Sequence, residues 1–396
     1  MVTINTNKFA GLILILTLVP YFGAIGMYNA ATAMIVSMST VLWLCFGRTS
    51  GALSLALYVY ASMIFLSGAM SILDNKPLGI MSFTDIIFVL LWIAISGLIS
   101  SAFEYKESLK ILVISLTLIS IINLIVILLV RLELWDLAYV FGETQQFDYS
   151  YARIRSVGII GQPGKLALFS ALGALCCVFC MKISIGSVDR ALLFVAFGCY
   201  LISAFFTLSR IGIILSVLTI LILPIRLQLI ISAVAVLAVW QFIDPQLIEL
   251  LLRLDSSGTA NLSSLEYRNT MRSYAFNYIG DEFKTSLLGF GPSKEAADAL
   301  YLPIKDHSLR FPDSSFTLVL FRYGMLGIIV SVIINLVTVK VFGINYKVIF
   351  TRIGAITLSI YLLAMLLDPI WHDPKIIIMY LISLKLLAEV SKFRSA

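Results

Sequence analysis

Apolar runs of about twenty residues, parted by short polar breaks, repeat along nearly the whole chain. A helix needs about 20 apolar residues to cross the hydrocarbon core of a bilayer. On that basis the runs at 9–27, 29–46, 51–72, 83–101, 109–130, 164–181, 190–208, 210–226, 228–243, 315–339, 348–367 and 375–391 predict membrane-spanning helices, with 210–226 and 228–243 a short pair. No internal repeat is visible, so the inverted-repeat signature of many transporters is not supported. The pattern predicts an all-α polytopic bundle of about twelve helices, in which 1–396 form one membrane domain and 244–314 a large outer loop.

Composition agrees. Hydrophobic residues make up 60% of the chain and charged ones 13%, and the mean hydropathy is +1.01. A soluble globule cannot bury that much apolar surface and still cover itself with a polar shell. The net charge of +6 does not imply nucleic acid, because most cations fall in short loops between spans. The first run has no short apolar core followed by a small-residue cleavage site, and reads as an uncleaved anchor. Cys45, Cys176, Cys177, Cys180 and Cys199 all lie in apolar runs. Metal or redox work needs thiolates, which an apolar setting opposes, so they read as helix filler.

Lysine and arginine in the short loops orient the bundle. With the N-terminus inside, the cytoplasmic side collects cations from Lys8, Arg48, Lys106 and Lys110 through to Lys340, Lys385 and Arg394. Both termini are then cytoplasmic, and 131–163 and 244–314 face outward. Within 244–314, Tyr267, Met271, Tyr274 and Tyr278 recur at helical spacing behind the capping box Ser263-Ser-Leu-Glu266. Arg268 and Arg272 stand one turn apart on the next face, and Leu288-Gly-Phe-Gly-Pro292 closes the region with turn chemistry. This predicts an amphipathic helix over the outer mouth; the plainer reading is a structured loop with a solvated cationic face.

In that orientation several cations sit where the topological bias disfavours them. Arg153, Arg155 and Lys165 punctuate "RIRSVGIIGQPGKLA", Arg210 lies in Thr207-Leu-Ser-Arg-Ile-Gly212, and Arg322 falls inside the 315–339 run. At about 1.5 Å per residue Arg322 is two turns from the outer end, a costly depth that marks a functional residue, a snorkelling side chain or a structural salt bridge. Arginine forks match phosphate oxygens and cannot lose their charge, so cations around an outer mouth suit a lipid-borne diphosphate. No phosphate loop, dinucleotide fingerprint, H-E-x-x-H or D-x-D is present, so no metal and no cofactor are expected. Arginines would then carry the charge developing on a leaving diphosphate, and the chemistry should survive chelators. A base for a sugar hydroxyl is sought among Asp313, His307, Asp306, Glu266, His372 and Asp373. His372 and Asp373 lie in the proline-bounded turn Pro369-Ile-Trp-His-Asp-Pro374, where a structural role is favoured. Asp313 stands where the long loop re-enters the membrane, and an aspartate there also makes a good helix cap.

Four segments come in a telling order: Arg155-Ser-Val-Gly158 with Gln162-Pro163; Thr207-Leu-Ser-Arg210 with Gly212; Arg268 or Arg272 followed by Leu288-Gly-Phe-Gly291; and Asp313-Ser-Ser-Phe-Thr-Leu-Val-Leu-Phe-Arg-Tyr-Gly324 with Gly327. Together, over roughly 150–330, they resemble the O-antigen polymerase and ligase superfamily. The resemblance implies a C-type glycosyltransferase bundle in the bacterial inner membrane, with its active site facing the periplasm. It implies undecaprenyl-diphosphate-linked oligosaccharides as donor and acceptor, membrane lipid around them, and room for a chain-length regulator as a protein partner. Carried over residue by residue, Arg155, Arg210 and Arg272 would hold diphosphate, with Arg153, Arg268 and Arg322 in support and Asp313 at the acceptor hydroxyl. His307, His372 and Asp373 remain acceptor-side candidates. Where the ligases carry His-Asn this chain has Asp313-Ser314, which points to a polymerase. A ligase acting on lipid A-core is the first alternative. A flippase of lipid-linked glycans, with cations lining a cavity through both leaflets, is the second.

Overall fold

The computed structural model describes residues 9–20, 28–46, 50–73, 81–102, 106–132, 134, 156, 158–183, 186–207, 209–229, 231, 273, 283–291, 315–344, 347, 350–367 and 373–395. Among these residues every regular element is helical. In chain order they are α1 (Phe9–Ile15), α2 (Tyr28–Phe46), α3 (Gly51–Leu73), α4 (Met81–Ala102), α5 (Lys106–Arg131), α6 (Pro163–Lys182), α7 (Ser187–Phe206), α8 (Arg210–Leu221), α9 (Phe283–Leu288), α10 (Ser315–Val341), α11 (Arg352–Leu367) and α12 (Pro374–Ser395). Short 3₁₀ turns at Leu16–Leu18 and Gly158–Ile160 follow α1 and precede α6. Five helices, α3, α5, α6, α7 and α10, contain stretches long and apolar enough to cross a membrane, and α2, α4, α8 and α11 contain shorter apolar stretches.

Three runs differ from the expected single spans, the 315–339 run by a break at Gly324. In 9–27 the α-helix stops at Ile15, passes through the 3₁₀ turn, and leaves helical geometry at Val19 (φ −56°, ψ 119°). The cause is Pro20, whose ring disfavours the helical conformation in the residue before it. In 210–226, α8 ends at Leu221, shortly before Pro224, a residue that cannot continue the hydrogen-bond ladder. Most of 228–243 lies outside the described residues, as does 244–314 apart from 273 and 283–291.

Burial identifies the centre of the bundle. Of the most apolar stretch of α6, 89% is buried, against 28% for α10, so α6 is a core helix, as is α12, while α10 is peripheral. Around α6 pack α5, α7, α8 and α12. A second group, α2, α3, α4 and α10, joins the first through α12, which touches both α6 and α4. The outer faces stay apolar, with Leu44, Leu55, Phe65 and Leu336 exposed. Helices apolar all round suit surroundings that are apolar on every side.

Paired contacts give the helix directions. Asp85 meets Arg322 and Trp92 meets Thr338, so α4 and α10 run parallel. Lys165 meets Asp373 and Cys176 meets Met379, so α6 and α12 do too. Spans joined by so few residues as 103–105 and 183–186 cross a membrane in opposite senses, so α5 runs against α4 and α7 against α6, and α6 and α7 also pack together. Since α5 contacts Leu192 through Thr117, while Asn123 and Phe206 both bind the 156–160 segment, α5 and α7 share a direction. The starts of α4, α6, α10 and α12 therefore lie at the same end of the bundle, together with the end of α7 and the start of α8.

Candidate functional site

Two clusters occupy that end. The first forms where α10 breaks. Gly324 leaves the helix at φ 60° and ψ −156°, a left-handed conformation that glycine adopts without a Cβ penalty. Residues beyond such a break no longer cap the carbonyls of the turn before it. The segment 289–291 supplies donors instead: the Phe290 N–H bonds to the Phe321 carbonyl and the Gly291 N–H to the Arg322 carbonyl, both at 2.9 Å. The Phe290 ring packs on Phe321 with centroids 5.0 Å apart. The L-G-F-G and F-R-Y-G segments, thirty-odd residues apart in sequence, are thus one structural unit.

The side chains of that unit face inward. The Arg322 guanidinium donates to both oxygens of Asp85 on α4, at 2.8 and 2.7 Å, and the Tyr323 hydroxyl donates to Asp85 Oδ2. The Tyr60 ring of α3 meets Tyr323 edge-on, with centroids 5.9 Å apart. Asp85 and Arg322 are 5% and 8% exposed, so each depends on the other for compensation of its desolvation. The adjoining cavity, lined by Tyr60, Asp85, Trp92, Arg322 and Tyr323 among others, measures about 20 Å³. That is room for roughly one water, far too little for a sugar or a diphosphate.

The second cluster surrounds the turn before α6. Its central peptide is gripped from two sides: the Ile159 N–H bonds to Asn123 Oδ1 of α5 at 3.1 Å, and the Ile159 carbonyl accepts from Lys375 Nζ of α12 at 2.6 Å. Lys375 is fully buried, with Asp373 at the head of its helix and Lys165 3.7 Å from Asp373. Asp373 Oδ1 also accepts from the backbone N–H groups of Lys375 (3.0 Å) and Ile376 (3.4 Å), which makes it the cap of α12, with Pro374 as the first helical residue. The Ser156 N–H bonds to the Phe206 carbonyl at 3.0 Å, tying this segment to the end of α7. There the Thr207 hydroxyl bonds to the Ala204 carbonyl and accepts from the Ser209 N–H, turning the chain into α8.

Of the residues singled out in the sequence, Arg322 and Asp373 are buried members of these clusters, and Arg210 begins α8. Arg322 has a salt-bridge partner, one of the readings its depth left open, and Asp373 caps its helix. Arg153, Arg155, Arg268, Arg272, His307, Asp313 and His372 lie outside the described residues, as does the stretch 263–272 that opens the amphipathic helix. Asp85 and Lys375 were not singled out. Asp85 carried a signal, a lone charge just inside an apolar run, whereas Lys375 stands at the edge of one. Among the described residues the buried charged groups are Asp85, Lys165, Arg322, Asp373 and Lys375, all near the starts of α4, α6, α10 and α12. They belong to one end of the bundle. No protein-family model matches this chain, and no curated protein is detectably similar to it.

Proposed function

We propose that this chain is a polytopic inner-membrane glycosyltransferase of about twelve spans that polymerises lipid-linked oligosaccharide repeat units at the periplasmic face. One observation carries the reading: the four sequence segments that suggested it meet in pairs at one end of the bundle. The segment around Ser156 is bonded to the end of α7 just before Thr207-Leu-Ser-Arg210, and Leu288-Gly-Phe-Gly291 is bonded to Phe321 and Arg322. In the topology set by the short-loop cations, that end is the outer one.

In this mechanism a hydroxyl oxygen of the incoming repeat unit attacks the anomeric carbon of the growing glycan. The bond from that carbon to the diphosphate oxygen breaks, and the lipid diphosphate leaves with the electron pair. Arg155, Arg210 and Arg272, supported by Arg153 and Arg268, take up the charge that develops on it. Asp313 receives the hydroxyl proton. Arg322, already held by Asp85, supports the wall of the site. The one-ended distribution of buried charge speaks against a flippase, which would line a passage through both leaflets. The replacement of His-Asn by Asp313-Ser314 speaks against a ligase.

The test uses purified protein and its lipid-linked repeat unit in the presence of EDTA, with products resolved as a glycan ladder. Wild type should give a chelator-resistant ladder and Arg272→Ala should abolish it. No ladder from folded wild type would sink the polymerase; lipid A-core added as acceptor then separates ligase from flippase.

A further inference from the structure

We infer that Asp85, in a part of the chain that carries none of the four segments, is a positioning residue: it holds the broken turn of α10 in the orientation on which the outer loop docks. The loop binds the main chain of α10. Its two main-chain hydrogen bonds end on the carbonyls of Phe321 and Arg322, the turn just before the break at Gly324. A turn next to a break has lost part of its ladder, so its carbonyl directions depend on something outside the helix.

Asp85 supplies that restraint. Its carboxylate binds two successive residues of α10, Arg322 through both oxygens and Tyr323 through Oδ2. Successive helical side chains point about 100° apart around the axis, because 3.6 residues make a turn. A single acceptor holding both therefore fixes the rotation of the segment as well as its distance from α4. The Tyr60 ring closes the other side of Tyr323. Rotation of the segment would swing the Phe321 and Arg322 carbonyls away from the Phe290 and Gly291 amides. The 20 Å³ cavity leaves no space for a substrate at Asp85 itself, so it acts through α10.

The consequence for turnover rests on the polymerase reading; the clamp does not. The docked segment belongs to the loop whose sequence carries Arg268 and Arg272, so a slackened dock weakens the hold on the lipid diphosphate.

The experiment follows backbone hydrogen exchange in the full-length protein in lipid nanodiscs. In Asp85→Asn the Phe290 and Gly291 amides should exchange about tenfold faster, while Ile159 keeps its protection and Asp85→Glu restores part of what was lost. With repeat unit supplied, KM should rise about tenfold and kcat change much less, a split that general loss of folded protein would not give. Unchanged exchange at Phe290 and Gly291 in folded Asp85→Asn overturns the inference. Faster exchange in a protein that makes no polymer even as wild type supports the clamp and refutes the polymerase. If Asp85→Asn also loses protection at Ile159, Tyr323→Phe decides: it keeps the ion pair, and it should speed exchange at the same two amides by about threefold or the inference fails.

Discussion

Gly289 and Gly324 meet back to back. A Cβ on Gly324 would stand 2.7 Å from the Gly289 nitrogen, and one on Gly289 would stand 2.4 Å from the Arg322 carbonyl carbon. Both atoms struck are main chain, which cannot turn aside as a flexible side chain can. Both glycines also have positive φ, 69° and 60°. Gly289→Ala and Gly324→Ala should each cost at least about 2 kcal/mol, from left-handed strain and the clash together. Thermal denaturation of detergent-solubilised protein checks this, and the double variant should cost less than the sum because both changes break one contact.

The Asp85–Arg322 pair makes a separate prediction. Removing either partner leaves a buried charge without its match, so Asp85→Leu and Arg322→Met should each destabilise by about 3–5 kcal/mol. The double variant restores charge balance and should lie well above either single one. A double-mutant cycle on melting temperatures measures the coupling. Strictly additive losses would mean that the pair contributes nothing as a pair.

Much of this was legible in the sequence, and the limits have physical causes. Apolar run length located most helices, because membrane thickness imposes it on the chain directly. The early end of α1 was written in Pro20. Arg322 could be read as needing a partner, but not which: Asp85 is 237 residues away, and pairing across that separation is decided by tertiary packing alone. The break at Gly324 was equally hidden, since a glycine inside an apolar helical run is compatible with an unbroken helix. Lys375 sits at the edge of a run, where a lysine ordinarily reaches for the interface, yet here it turns inward onto the Ile159 carbonyl.

That inward lysine can be tested by itself. Lys375→Met keeps the length of the side chain and removes its donor, leaving the Ile159 carbonyl without its 2.6 Å bond. The loss should come to about 1–3 kcal/mol, offset in part because a buried charge is removed with it. The local effect is the sharper one. The Ile159 amide, bonded to Asn123 on the other side of the turn, should exchange faster, while Phe290 and Gly291 in the other cluster should not change. Equal acceleration in both clusters would show that the two are one cooperative unit.

Gly212 and Gly198 provide a matched comparison between a motif glycine and an ordinary one. Both lie within helices, α8 and α7, where replacing glycine by alanine ordinarily gains about 0.5–1 kcal/mol. Around Gly198 nothing lies within 4 Å of an added Cβ, so Gly198→Ala should show that gain in full. At Gly212 the added carbon would stand 2.6 Å from the Ala167 Cβ of α6, a core helix. Interiors this closely packed do not yield by an ångström without cost, so Gly212→Ala should push α8 off α6 and lower stability by about 1–3 kcal/mol. Because α8 begins at Arg210, the same shift should move that arginine's backbone with the helix. Melting temperatures of the two variants should therefore move in opposite directions. If they move together, the T-x-S-R-x-G glycine is not there for close helix packing.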